Sequence, residues 1–270
     1  MVLKFSFING NILLMEKQME KGKILLKLLG IMLLCIIILG CIPKKGETPA
    51  QTPLEDFQID GTTLTSYTGN KANVIIPHGI IEIGDSAFSE KQITSITIPN
   101  TVISIGDHAF YGNQLTSVTI PESVTEIGIG AFASNHLTSI TIPESVTEIG
   151  IGIFFRNQLT SIIIPNSVTK IGIGSFNSNQ LTSVIIPNSV TRIDMEAFAM
   201  NHLTSITIPE SVIEIGNSAF ASNQLTTVTI PDSITRIGNS AFAGNPLTTI
   251  NIPDNSVIEI GDGAFENSLY

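Results

Sequence analysis

An Ile-Pro step recurs at Pro77, Pro99, Pro121, Pro143, Pro165, Pro187, Pro209, Pro231 and Pro253, each 22 residues after the last. A phenylalanine stands 11 positions after each proline from Phe88 to Phe242. Phe265 stands 12 after Pro253, so one residue is inserted in the last unit. Residues 137–158, LTSITIPESVTEIGIGIFFRNQ, show the unit. A fixed period between about 20 and 50 residues is the mark of a solenoid or an array of coils. No single unit can bury its own apolar face, so the constraint applies to the whole array at once.

The run L-T-S-I-x-I ends with the period of a strand buried on one face. Proline then removes a backbone donor and ends the strand. The next segment, V-T-x-I, predicts a second short extended piece, and the glycine after it suits a turn that needs positive φ. Ala-Phe leaves room for at most one helical turn before Asn and the next Leu. Stacked strands lie about 4.8 Å apart, so nine coils predict a rod roughly 38 Å long. Phe88 to Phe265 should form one internal spine.

The pattern LxxIxIPxxVxxIGxxAF, repeated nine times across residues 59–265, resembles the BspA-like class of leucine-rich repeats found in bacterial surface proteins. That resemblance implies a β-rich, curved solenoid of nine 22-residue coils, with a parallel β-sheet on the concave face and little helix. The stretch IDGTTLTSYTGNKANVIIP looks like the N-terminal segment usual in this class, so 55–76 reads as a capping segment and 77–270 as the solenoid. Many such repeats carry Cys near the Asn slot and run one residue longer, whereas here the slot holds Asn113, Asn135, Asn157, Asn179, Asn201, Asn223 and Asn245. Members of the class are described as adhesins, which implies binding to host proteins or to other cells and no enzymatic activity.

Residues 1–14 do not fit the basic opening of an export signal, and Met15 or Met19 is a better start. From Met19 the chain supplies Lys21, Lys23 and Lys27 and then an apolar run from Leu28 to Leu39. The run is shorter than the roughly 20 residues that span a bilayer, and it has the size of a signal-peptide core. It ends in Ile38-Leu39-Gly40-Cys41, which resembles the lipobox of bacterial lipoproteins. Residues 1–40 are thus expected to be a signal peptide, with Cys41 lipidated and membrane-anchored. The alternative is an uncleaved membrane anchor, and in both cases the domain is exported and tethered. Residues 41–54, polar and proline-rich after Cys41, read as a linker; about 15 flexible residues reach roughly 20 Å. Cys35 would leave with the signal peptide, so no disulfide is expected.

The formal net charge is −10. Residues 1–40 hold five Lys and two Glu, so the remainder carries eight basic against 21 acidic side chains, or −13. Such a balance argues against binding nucleic acid or anionic lipid through a basic face. With no tryptophan and few other aromatics, the chain offers no platform for stacking sugars.

No catalytic constellation emerges, and no cofactor is implied. Ser and Thr recur at repeat slots without a partnered base. His136 and His202 take a slot that is Gln in other coils and stand three coils apart, roughly 14 Å, too far to share a metal. Glu122 with Glu144, and Glu126 with Glu148, stack as like-charged pairs. They could hold Ca²⁺, but a solvated acidic edge is the simpler reading. The Asn column reads as a structural ladder, each amide bonding backbone of its own or the next turn. The Thr column two residues before each proline is interrupted by Ile163 and Ile185, which argues against an ice-binding array.

Departures from the repeat carry the remaining information, because the fold does not ask for them. The slot after the turn glycine is Asp or Asn toward the ends but Ile129, Ile151, Ile173 and Met195 in the middle. Either these four form an exposed apolar stripe, of the kind that marks partner sites, or they turn inward where the coil is wider. In coils five and six Ile163 and Ile185 replace Thr, Asn166 and Asn188 replace an acid, and Lys170 and Arg192 replace Glu. Phe155 and Arg156 precede them. Ile151, Phe155, Arg156, Ile163, Lys170, Ile173, Ile185, Arg192 and Met195 together form the candidate partner site. The expected function is that of a lipid-anchored surface protein that binds proteins. A self-associating structural element of the envelope is the alternative.

Overall fold

The computed structural model describes residues 51–253 and 258–266. The expected signal peptide, the lipidation of Cys41 and the linker up to residue 50 lie outside the described residues. Each 22-residue unit makes one turn of a parallel β-solenoid. Its first strand is the I-x-I step before proline. Ile162 and Ile164 are buried while Ile163 between them is exposed, the two-residue alternation of a pleated chain. This ladder runs through pairs such as Val74↔Ile96 and Val228↔Ile250, and through single bridges Thr119↔Thr141, Thr141↔Ile163 and Ile163↔Ile185 in the middle.

Proline ends the strand and starts a turn, its carbonyl accepting from the Val N–H three residues on, as for Val102 and Pro99 at 3.1 Å. From Pro121 to Pro231 the Ser two residues after the proline reaches back a coil, Ser123 donating to the Val102 carbonyl at 2.6 Å. The second strand is the x-Ile pair, stacked at intervals of 22, as in Lys170↔Arg192. The last step, Arg236↔Glu259, is 23 residues and absorbs the insertion. Among the described residues the only helix is a 3-10 turn, Leu54–Asp56.

Two columns stand out in an interior otherwise filled by Leu, Ile, Val and Ala. Phe88 through Phe265 stack ring on ring, with centroids 5.2 to 6.0 Å apart and planes within 16°. The seven Asn side chains are buried. Asn179 is representative: Oδ1 accepts from Leu159 N at 3.0 Å, and Nδ2 donates to the Phe154 and Phe176 carbonyls at 2.9 and 3.1 Å. One amide thus satisfies backbone groups of two successive coils where water is excluded. At the N-terminal end an antiparallel hairpin, Phe57–Asp60 with Thr63–Tyr67, stands where a coil would, and Tyr67 stacks 5.5 Å from Phe88. Thr52 is buried and its Oγ1 accepts from Ile75 N, so at least this residue of the expected linker packs onto the folded unit.

The turn glycine has a different role from the one expected. Positive φ falls two residues later, at Ser86, His108, Gly130, Gly152, Gly174, Glu196, Ser218, Ser240 and Gly263. The glycine is needed for space: a Cβ on Gly128 would lie 2.5 Å from Asp107 N, and one on Gly216 would lie 2.5 Å from Met195 N. A second positive-φ position precedes each Asn and is usually Gly or Ser, but Arg156 and Met200 hold it in coils four and six.

Candidate partner-binding surface

The structure distributes the nine candidate residues over four rows. Ile163 and Ile185 bridge each other on the first-strand ladder. Lys170 and Arg192 pair on the second-strand ladder, a different sheet. Ile151, Ile173 and Met195 lie at the corner after the turn glycine, joined by bonds such as Gly152 N to Ile173 O and Gly174 N to Met195 O. Phe155 and Arg156 sit in the turn before Asn157, the guanidinium carbon 5.0 Å from the ring centroid. All nine share a departure from the repeat, but the fold brings together only neighbours within each row.

The corner row is exposed: Ile129, Ile151, Ile173 and Met195 are 36 to 44% accessible. Toward the ends of the solenoid the polar residues of this row are structural as well as solvated. Asp107 N bonds Asp85 Oδ1, Ile129 N bonds Asp107 Oδ1, and Asn239 N bonds Asn217 Oδ1, at 2.7 to 2.9 Å. An aliphatic side chain cannot accept such a bond, so the middle coils exchange a rung-to-rung tie for exposed apolar surface.

The two cations are neutralised from within. Lys170 Nζ lies 3.3 Å from Asp194 Oδ2; Arg192 donates to Asp194 through Nε and to Glu214 through a terminal nitrogen at 3.2 Å. The Asp194 hydrogen bond and charge hold the Arg192 guanidinium above its ordinary pKa. Arg236 continues the chain at 2.7 Å from Glu214. Asp194 is the partner that the sequence does not reveal for these cations, although its signal is there: it stands where other coils have the turn glycine.

The first-strand face changes most abruptly. Ile163 and Ile185 are 81% and 78% exposed, above every other described large hydrophobic side chain. The row just after proline is exposed and acidic at Glu122, Glu144, Glu210 and Asp232 but holds Asn at 100, 166 and 188, the last two on the rungs of Ile163 and Ile185. On the opposite border exposed His136 and His202 flank Gln158 and Gln180. Two uncharged, apolar rungs are thus bracketed by rungs that each carry a Glu. Among the described residues no group of three His, Cys, Asp or Glu side chains is placed to hold a metal ion, and no helix is long and apolar enough to cross a membrane.

The repeat, its Phe and Asn columns and its Pro-ended strands agree with a family profile, the BspA type leucine rich repeat region, which matches residues 64–179 and 152–270 in six copies. The chain belongs to the BspA-type leucine-rich repeat family. Among solved structures similar to this BspA-type chain, a leucine-rich repeat protein from Bacteroides ovatus is 28% identical with a TM-score of 0.68, covering 76% of this chain and 56% of its own. A leucine rich cell surface protein from Faecalibacterium prausnitzii is 29% identical with a TM-score of 0.50, covering 66% and 59%. This chain therefore spans a little over half the length of each. No curated protein matches it.

Proposed function

We propose that this BspA-type domain binds a protein partner on the first-strand face at coils five and six, on a chain exported and held at the bacterial surface by lipid on Cys41. The observation that carries the site is that two departures meet on the same two rungs: Ile replaces Thr and Asn replaces acid, whereas Asn100, the other Asn of that row, stands beside an unchanged Thr97. Exposed β-branched aliphatics flanked by neutral amides form an apolar centre, and burying such a centre drives association. Glu144 and Glu210 bracket it three rungs apart, about 14 Å. The complementary partner carries an apolar side chain between two basic ones at that separation, and the acidic surroundings repel acidic competitors. The corner row of Ile151, Ile173 and Met195, with Phe155 and Arg156, would be engaged only by a partner that wraps past this face. Lys170 and Arg192, paired with Asp194 on the other sheet, stand outside this face.

Binding, with adhesion to neighbouring cells or host proteins as its use, is supported by the family and by the cell-surface description of the Faecalibacterium relative. Reverting Ile163 and Ile185 to Thr should leave the melting curve unchanged and weaken adhesion of displaying cells to a host-cell layer at least tenfold. Paired Thr97→Ser and Thr229→Ser changes should do neither. Unchanged adhesion by the revertant would remove the site. For the anchor, lipid on a cysteine with two or more chains gives stable attachment that one chain does not. Cys41→Ala should release the protein or leave its precursor uncleaved; normal processing with unchanged membrane partition would contradict lipidation.

A further inference from the structure

We propose that the solenoid contains a built-in hinge between coils three and four, held open on its second-strand side by Ile153. The second-strand ladder is continuous from the hairpin through Ser104–Ile105 to Glu126–Ile127, and again from Glu148–Ile149 to Glu259–Ile260, but these two runs do not pair with each other. Elsewhere the flanking N–H groups bond the preceding coil, as Thr125 does Ile103, Gly128 does Ile105, Thr169 does Thr147 and Gly172 does Ile149, at 2.7 to 2.9 Å. Thr147 N–H and Gly150 N–H make no such bond to Thr125 and Ile127.

The spacing agrees. A Cβ on the equivalent glycines Gly128, Gly172, Gly216 and Gly238 would meet backbone at 2.5 to 2.6 Å, whereas at Gly150 the nearest atom is 3.6 Å away. Phe132 and Phe154 are 6.0 Å apart, the widest step in the spine. Ile127 is only partly buried, while Ile105 and Ile149 are 2% and 1% exposed.

The cause lies in one column. The residue before the spine Phe is Ala in coils one to three and six to nine, and Ser175 in coil five; in coil four it is Ile153. Its Cδ1 lies 3.6 Å from where a Gly150 Cβ would stand, as does the Ile127 carbonyl. The turn bond that Ala131 N makes to Gly128 O at 3.3 Å has no counterpart from Ile153 N to Gly150 O. Three extra carbons in a slot built for a methyl group wedge the coils apart, since packed interiors do not absorb added volume without displacement.

The other two sides stay closed. Thr119 and Thr141 are bridged, and Gly130 N, Phe132 N and Ser134 N bond the carbonyls of Ile151, Ile153 and Phe155 at 2.8 to 3.0 Å. A contact line kept on two sides and released on the third defines an axis of bending. Coils one to three then form a block with the capping hairpin, and coils four to nine carry Ile163 and Ile185 intact, so the partner face can tilt relative to the N-terminal end without being remade.

Amide hydrogen exchange resolved by residue tests this on the folded domain. Thr147 and Gly150 should exchange at least tenfold faster than Thr125, Gly128, Thr169 and Gly172. Ile153→Ala should slow both by tenfold or more while the other four hold their rates. If that variant loosens the whole core instead, all six amides accelerate together, and Ala197→Ile decides: it should open a second seam, speeding Thr191 and Asp194. Protection of Thr147 and Gly150 equal to their counterparts in the native chain overturns the hinge. Rates at Thr191 and Asp194 indifferent to Ala197→Ile overturn the wedge as its cause.

Discussion

Asn and Gly hold most of the coils together, for opposite reasons. The Asn amide is irreplaceable because it both donates and accepts in a place closed to water. Asn179→Ala leaves the Leu159 N–H without a partner and takes one of two amide donors from each of the Phe154 and Phe176 carbonyls, which keep Asn157 and Asn201. At about 1–3 kcal/mol for an unsatisfied buried group, the loss should be about 1–3 kcal/mol in denaturant unfolding, against less than about 0.5 kcal/mol for exposed Gln180→Ala. The turn glycine is required for what it lacks. Gly216→Ala drives a methyl toward Met195 N, and overpacking of this kind costs about 1–3 kcal/mol. Ser218→Gly, two residues on at positive φ, should be neutral or slightly stabilising; equal damage from both would put the requirement back on φ. Sequence alone cannot separate these roles, because a glycine demanded by space and one demanded by φ look alike. The Asn and Phe columns are legible because identical residues at a fixed interval admit one stacked arrangement.

At the level of strands and ladders, register decides which departures matter. In the sequence Lys170 and Arg192 read as cations of the partner site, but Asp194, 24 and two residues away, takes both. The pair cannot be foreseen without knowing how one rung sits on the next. Both cations are about half exposed, and exposed ion pairs contribute about 0–1 kcal/mol. Asp194→Gly, which restores the column residue, should therefore change stability by no more than about 1 kcal/mol, measured by thermal unfolding at low and high salt. A loss of several kcal/mol would mean that the network holds the second ladder together. Ile153 is hidden for a related reason: Ile for Ala is an apolar exchange on paper, and only the closed dimensions of the slot make it a wedge.

For the whole molecule, stability is a sum over neighbours, because each coil touches only the next. Phe176 has a stacked ring on both sides and is fully buried; Phe265 ends the described stack and is only partly buried. Phe176→Ala should cost about 3–5 kcal/mol and Phe265→Ala much less. Equal losses would contradict a nearest-neighbour stack. The same one-dimensional order lets a surface vary coil by coil over an unchanged core, which is why a docking window can be two rungs wide.

Photocrosslinking tests that window whatever the partner's identity. A benzophenone amino acid placed singly at positions 163, 185, 97 and 229 of the displayed protein, irradiated in contact with host cells, should give adducts of one defined mass from 163 and 185. It should give none from 97 or 229, which hold the same slot of the repeat outside the apolar rungs. Equal adducts from all four positions, or from 97 and 229 alone, would contradict a binding site at coils five and six.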